Sequence, residues 1–574
     1  MSRLESLRLS LPLVELTCPE KSWRDWLVAA LIFGISLLHF SCFYNYTLLN
    51  ADEGIVLQGA QRILQGQVLY RDFFSFLTPG SYYWMAFFFK IFGSSILVGR
   101  AVLIGEGASL SVLTYLLSRR VCSRWTAFLA SIFVTLIGLP TRFLVLHNWD
   151  STLCVCLTLY CAVLFLQYPR RLLLFATGWF AALTCLFEHS KGAGLVLGLG
   201  LASIVLLTTD RVTLKYWRPG FLVPLVLGFA VPVIFTFVYF SAHHTLSQML
   251  EDWSWPLRNY SAVNKTPYGF VVLSPEDRAA IYNEPWPSRL VTIVLTGPWF
   301  IVPALPFVAA AVFMFWLQRR WRAKSNQRAR RAYFVLISAT VIGLLLSLFA
   351  TGRPDFHHLV YISPVLFVVL AWIMDGQMLP FLVRRGLPLL TFLLFISCVG
   401  FGLSLLSQPL NAGYVLQTRR GTLKAVHADE VIGYIQAHVP GGQKILVYPY
   451  LPLYYYLTET FSPGRYEYLQ PGLHTPEQVH ALVKELDADQ TRIVFFEPYF
   501  REKAPTAFPS TPAETRNERD PVADYIRSHY RECTTLNSQD FWHFIAMVRK
   551  DLPCPAERIG EVATDRHKKS ENQR

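Results

Sequence analysis

The chain has 574 residues, of which 53% are hydrophobic, 15% aromatic and only 16% charged, against roughly 25% charged in an average soluble domain. Uncharged runs of membrane-spanning length recur along it, which excludes a soluble globular protein. The formal net charge of +13 sits in short Lys/Arg clusters between those runs rather than in one patch or stripe, so nucleic acid is not an expected partner. The expected fold class is an α-helical polytopic membrane protein, with membrane lipids around most of the chain.

Residues 1–25 carry Lys21 and Arg24 and read as a cytoplasmic N-terminus. The first apolar run, Trp26 to Ala51, is too long for a signal-peptide core and has no small-residue cleavage site, so it reads as a retained span. About eleven candidate spans follow from the requirement for about 20 apolar residues each. They lie near 26–46, 99–118, 125–141, 151–168, 172–188, 191–209, 219–241, 289–316, 333–352, 358–375 and 387–407.

Every second loop is rich in Lys and Arg. These loops hold Arg119, Arg120 and Arg124, then Arg170 and Arg171, then Arg211, Lys215 and Arg218, then the dense cluster from Arg319 to Arg331, then Arg384 and Arg385. Cytoplasmic loops retain positive charge, so the alternation predicts an inside N-terminus and an outside C-terminus. A multi-pass protein of a bacterial inner, or plasma, membrane is the expected setting.

Residues 408–556 then form a small extracytoplasmic α/β domain. Helices are expected around 425–438, 475–487 and 521–530, alternating with strand-like runs Lys444–Tyr448 and Arg492–Phe496. The charged stretch 557–574 reads as a disordered tail. Most of the cysteines lie in apolar runs, but Cys533 and Cys554 fall in the domain placed outside, where oxidation is permitted. The apolar run Phe541 to Val548 between them is a candidate strand returning the two ends, and a disulfide is expected.

Two outside loops, 47–98 and 242–288, are longer than simple turns, and loops of that length are usually functional or disordered. The first opens on Asp52-Glu53 and ends in Tyr82-Tyr83-Trp84 and Phe87-Phe88-Phe89, a pattern expected of amphipathic helices in the membrane interface. The second, with Glu251-Asp252 and many aromatics, reads as a lid. Arg100, Asp150, Glu188, Lys191, Arg353, Asp355, His357 and His358 fall at the same face. Polar groups at span ends are costly unless paired or wetted, so they are candidate site residues. Arg100, Lys191 and Arg353 could equally snorkel to lipid headgroups. No metal or other cofactor is expected, since neighbouring histidines on a helix diverge by about 100° and no CxxC pattern occurs. Gly192, Gly194, Gly198 and Gly200 read as a helix-packing stripe.

Three segments of the first loop carry a resemblance: Ala51-Asp52-Glu53-Gly54, then Gly66-Gln67-Val68-Leu69-Tyr70-Arg71-Asp72, then Pro79-Gly80-Ser81-Tyr82-Tyr83-Trp84. Their order resembles the first loop of membrane glycosyltransferases of the GT-C fold. Within that fold the likeness is to the group of protein O-mannosyltransferases and aminoarabinose lipid A transferases. Further along, Arg100 resembles a basic residue opening the second helix, His147-Asn148-Trp149-Asp150 a second acidic position, Ser190-Lys191-Gly192 the family's Thr-Lys-Gly, and Arg353 with His357-His358 a basic/His element. The resemblance covers roughly 26–407 and implies an inverting transfer from a polyprenyl-phosphate sugar donor to an extracytoplasmic lipid, glycan or protein acceptor. It implies catalytic roles for Asp52, Glu53 and Asp150, and donor-phosphate contacts for Arg100, Lys191, Arg353, His357 and His358. A transporter is the competing reading, though the charges cluster at one face and no internal repeat is visible. A non-catalytic envelope-polysaccharide assembly protein is another.

Overall fold

The computed structural model describes residues 23–209, 219–273, 275–318, 325–375, 381–470, 472–538 and 542–555. The expectations for Lys21, for 211–218, for 319–324 and for the tail 557–574 lie outside the described residues.

The helices in chain order are α1 (Trp23–Ser41), α2 (Ala51–Leu64), α3 (Gly80–Phe92), α4 (Ile96–Ser118), α5 (Arg124–Phe133), which continues through a π-turn into α6 (Leu139–Thr141), α7 (His147–Gln167), α8 (Arg171–Phe187), α9 (His189–Thr209) and α10 (Pro219–Ala242). The second long loop holds α11 (Leu246–Trp255), α12 (Ser261–Val263) and α13 (Pro275–Asn283). Then come α14 (Trp286–Leu295), α15 (Pro298–Gln318), α16 (Ser325–Ala350), α17 (Phe356–Tyr361), α18 (Ser363–Asp375) and α19 (Phe381–Asn411). Among the described residues nine helices are long and apolar enough to cross a membrane: α1, α4, α5 with α6, α7, α9, α10, α15, α16 and α19. The chain is a multi-pass integral membrane protein.

Three expected spans take another form. The span near 172–188 is α8, a helix of 17 residues. The run 289–316 breaks at Thr296-Gly297 into α14 and α15, and the run 358–375 breaks at Ile362 into α17 and α18. Each break is followed by a proline in the first two positions of the next helix, Pro298 and Pro364. Proline has no N–H to continue a ladder and disfavours helical backbone before it.

Close glycine contacts hold neighbouring helices together, as expected where lipid supplies no hydrophobic drive. A Cβ on Gly194 would lie 2.6 Å from the carbonyl oxygen of Gly343, and one on Gly198 2.6 Å from the Cα of Thr340, so α9 and α16 meet backbone to backbone. A Cβ on Gly178 would lie 2.1 Å from the Leu225 carbonyl and one on Gly228 2.1 Å from that of Phe175, which joins α8 to α10. Gly192 likewise meets the α8 backbone, its Cβ falling 2.5 Å from the Cα of Cys185, so three glycines of the expected stripe serve interhelix packing, whereas Gly200 faces open space.

At one end of the bundle Asp25 of α1 accepts hydrogen bonds from Tyr115 (2.9 Å), Arg119 (3.0 Å) and Arg124 (2.8 Å), tying α1, α4 and α5 together. The opposite ends of these helices carry the first long loop. There α3 has the expected interfacial character, with Trp84, Phe87, Ile91 and Phe92 exposed. The other helix of that loop, α2, does not. Glu53, Gly54, Ile55, Val56, Leu57, Gln58, Gly59 and Ala60 are all buried, because a second layer of protein covers it.

That layer is the C-terminal domain. Its strands are β1 (Tyr414–Thr418), β2 (Gly421–Ala425), β3 (Leu446–Tyr448), β4 (Ile493–Phe496), β5 (Tyr530–Asn537) and β6 (His543–Arg549). β1 and β2 form a hairpin for which no element was expected, just ahead of the helix expected from about 425, which begins at Glu430. The other four make a sheet in the order β3-β4-β6-β5, with β3 and β4 parallel and the rest antiparallel. The expected helices are present at Glu430–His438, Pro476–Asp489 and Pro521–His529. A short helix, Leu453–Thr458, packs on α2 so closely that a Cβ on Gly54 would lie 2.0 Å from the Leu453 nitrogen. Gln58 and Arg62 of α2 reach Glu467 at 3.2 and 3.0 Å.

Cys533 and Cys554 form a disulfide with 5.7 Å between Cα atoms, fastening β5 to the segment after β6. Replacing both by serine is expected to lower the stability of the C-terminal domain by about 3 kcal/mol, the cost of releasing a loop of this size. The check is the unfolding midpoint of the purified full chain with and without the two substitutions; equal midpoints would contradict it.

Candidate active site

Asn50 caps α2 by accepting a hydrogen bond from the Asp52 N–H at 3.0 Å, and Asp52 and Glu53 stand in its first turn, where the helix dipole favours negative charge. Consecutive residues on a helix point about 100° apart. The two carboxylates therefore enter different surroundings.

Glu53 points into protein. Its side chain and that of Arg100 are 0% exposed. They meet at 2.5 Å, Glu53 also accepts from the Val145 N–H at 3.0 Å, and Arg100 donates to the carbonyls of Tyr46 (3.0 Å) and Phe143 (3.1 Å). The pair clamps α2, α4 and the loop 142–146 together. Although expected at the reacting groups, both are enclosed in the wall behind them.

Asp52 points into a cleft, with 43% of its side chain exposed. One carboxylate oxygen accepts from the Tyr450 hydroxyl at 2.5 Å and the other from Arg142 at 3.2 Å. Arg142, 21% exposed, also reaches the Tyr361 hydroxyl at 3.3 Å. Arg353, 18% exposed, donates to Asp355 at 3.1 Å and to the Tyr260 hydroxyl at 3.4 Å, with its guanidinium over the Phe508 ring. Arg353 and Tyr260 lie close enough to Asp52 to feel its charge, with Asp355 buried behind them.

Asp355 caps α17 by accepting from the His358 N–H at 3.2 Å and accepts again from the His358 ring at 2.9 Å. Burial opposes its charge, but His358 and Arg353 hold its carboxyl well below the usual carboxylate range. His357 is pushed down to about 3, first by burial and then by Arg142, so it stands neutral among the cations. His358 thus serves the cap of α17, while His357 lies beside Arg142.

Asp150 and Lys191 lie deeper. Asp150 accepts a very short hydrogen bond from Ser81 of α3 and meets Glu106 of α4, which accepts from the Trp84 indole at 2.8 Å. Lys191 is 2% exposed and donates to Glu188 (2.8 Å), the Asn148 carbonyl (2.9 Å), Ser151 (2.9 Å) and Thr152 (3.1 Å). These contacts knit α7 to the junction of α8 and α9. Among the described residues no group of three His, Cys, Asp or Glu side chains is placed to hold a metal ion.

The structure therefore brings Asp52, Arg353, His357 and His358 to one cleft and places Glu53, Arg100, Asp150 and Lys191 in its walls. Arg142, Tyr260, Tyr361 and Tyr450 complete the cleft without having been expected. A lone Arg two residues after Pro140, in an otherwise Arg-poor loop, is the one signal that could have found Arg142.

No family model matches this chain, and no curated protein sequence does. Its structure is similar to that of ArnT from Cupriavidus metallidurans bound to undecaprenyl phosphate, with a TM-score of 0.51 at 12% identity over 92% of this chain and 98% of that one. The apo state of the same ArnT gives a TM-score of 0.52, again at 12% identity, 92% and 98%. The oligosaccharyltransferase of Archaeoglobus fulgidus, in a complex with zinc and sulfate, gives 0.50 at 12% identity over 89% and 72% of the two chains. At such identity the likeness is one of fold. Both are glycosyltransferases of the GT-C fold, and this chain has that fold.

The Glu53–Arg100 pair carries a direct expectation. Removing one partner strands a fully buried charge, at a cost of about 3–5 kcal/mol. Arg100→Ala is expected to cut the yield of folded protein sharply, and Arg100→Ala with Glu53→Gln to recover part of it, read by thermal unfolding in detergent. A single variant as stable as the parent would contradict the clamp.

Proposed function

We propose that the chain is a glycosyltransferase that moves a sugar from a polyprenyl-phosphate carrier to an acceptor on the extracytoplasmic side of the membrane, with inversion and with Asp52 as the base. The carrying observation is the division of charge at this end of the bundle. Asp52 is open in the cleft between Arg142 and Arg353, while Glu53, Asp150 and Glu188 are sealed into the walls. The fold shared with an ArnT that was crystallised with undecaprenyl phosphate supports the choice of carrier. The Lys/Arg alternation supports the side.

In this reading an acceptor hydroxyl on the Asp52 side attacks the anomeric carbon. The bond from that carbon to the carrier phosphate oxygen breaks, its electron pair stays with the phosphate, and the acceptor proton passes to Asp52. A phosphate leaving group needs charge-assisted donors, and a guanidinium offers them in a planar fork. Arg353 and Arg142 are the partly open cations that fill this role. Arg100 and Lys191 act at one remove, by fixing the helices that carry the cleft, and Asp150 does the same beneath α3.

General-base assistance is worth about 10²–10⁴ in rate. Asp52→Asn is expected to lower single-turnover transfer by that order while leaving folding and donor binding intact, using purified protein and radiolabelled polyprenyl-phosphate sugars. A parent-like rate at saturating donor would remove Asp52 from the chemistry.

A further inference from the structure

The residue that holds Asp52 belongs to the C-terminal domain, 398 positions away in sequence. We propose that Tyr450 is a positioning residue for the proposed transferase reaction, through which the C-terminal domain orients the Asp52 carboxylate. The inference rests on the reading of Asp52 as the base.

Three observations carry it. The Tyr450 hydroxyl donates to one oxygen of Asp52 at 2.5 Å while Arg142 takes the other, so the carboxylate plane is set from two sides. Tyr450 itself is held firmly: the Pro449 carbonyl accepts from Leu469 at 3.0 Å, the Tyr448 carbonyl accepts from Glu497 at 2.9 Å, and the Tyr450 ring meets that of Tyr468 edge to face. The helix Leu453–Thr458 that follows is seated on α2 at Gly54, two residues after Asp52, so donor and acceptor share one rigid contact. Burial, and then the Asp52 charge, push the Tyr450 phenol well above its ordinary value, so it remains a donor across the working pH range.

The hydroxyl acts on the reacting oxygen only by fixing its direction, so its loss should lower kcat and leave donor KM unchanged. Arg142, Arg353, His147, Tyr260 and Tyr361 also lie near Asp52, but Arg142 alone of these donates to its carboxylate.

The experiment compares full-length parent, Tyr450→Phe, Asp52→Asn and the double variant, measuring transfer from a radiolabelled polyprenyl-phosphate sugar as kcat and donor KM, and thermal unfolding in detergent. Tyr450→Phe is expected to lower kcat about tenfold and to leave donor KM unchanged. Adding Tyr450→Phe to Asp52→Asn should cost nothing further, since the hydroxyl acts through the carboxylate. A parent-like kcat in Tyr450→Phe, a loss carried by KM, or losses that add in the double variant would overturn the proposal. Should the parent transfer no sugar, the glycosyltransferase reading fails, while unfolding midpoints of the same four proteins still decide whether Tyr450 holds Asp52: strictly additive shifts refute the contact. Should Tyr450→Phe not fold, Tyr450→His, which keeps a donor, takes its place in the cycle, and additive losses again refute the role.

Discussion

A charge inside a membrane protein has to be paired, and the pairing of Glu53 with Arg100 sets the geometry on which the cleft depends. With neither side chain exposed, the pair is tolerable because backbone meets most of what remains, the Val145 N–H for Glu53 and the Tyr46 and Phe143 carbonyls for Arg100, leaving only the Arg100 Nε–H without a partner. Those contacts bring together α2, the start of α4 and the segment that leads from α6 to α7. Once Glu53 is fixed, helical rotation leaves Asp52 no direction but the cleft, and the segment that supplies Val145 also presents Arg142. The motif's two acidic residues thus divide the labour by burial.

The same logic explains which charges remain available. Lys191 is surrounded by Glu188, Asn148, Ser151 and Thr152, so its charge is consumed in joining helices, and Asp150 is enclosed between Ser81 and the Glu106 carboxyl. Arg142 and Arg353 each spend part of a guanidinium on a carboxylate and a phenol and keep part of it open. An anionic leaving group near Asp52 would meet these two before any other cation described here.

Hydropathy made most of the fold legible, because a bilayer demands continuous apolar runs and the chain supplies them. It could not show that the runs 289–316 and 358–375 are interrupted, since a proline inside an apolar stretch barely changes its hydropathy. Nor is proline decisive alone: α10 continues through Pro224 and Pro232. Asp52 was legible from a local motif. Arg142 and Tyr450 were not, because they meet it across 90 and 398 residues, and no pattern in one sequence encodes such a meeting. The interfacial reading of α2 failed for a related reason: its polar residues Gln58 and Arg62 look solvent-bound until Glu467 arrives to receive them.

The distance along the chain between Asp52 and Tyr450 bears on how the protein comes into being. A ribosome adding 5–20 residues per second needs roughly 20–80 s to travel between the two. Throughout that interval the first loop is complete, yet α2 has no covering layer and Asp52 lacks one of its two partners. The cleft is finished only after the last helix is made and the following domain has folded against Gly54. A nascent or truncated chain therefore presents Asp52 with neither the cover on α2 nor the Tyr450 hydroxyl, and both arrive only when synthesis is nearly over.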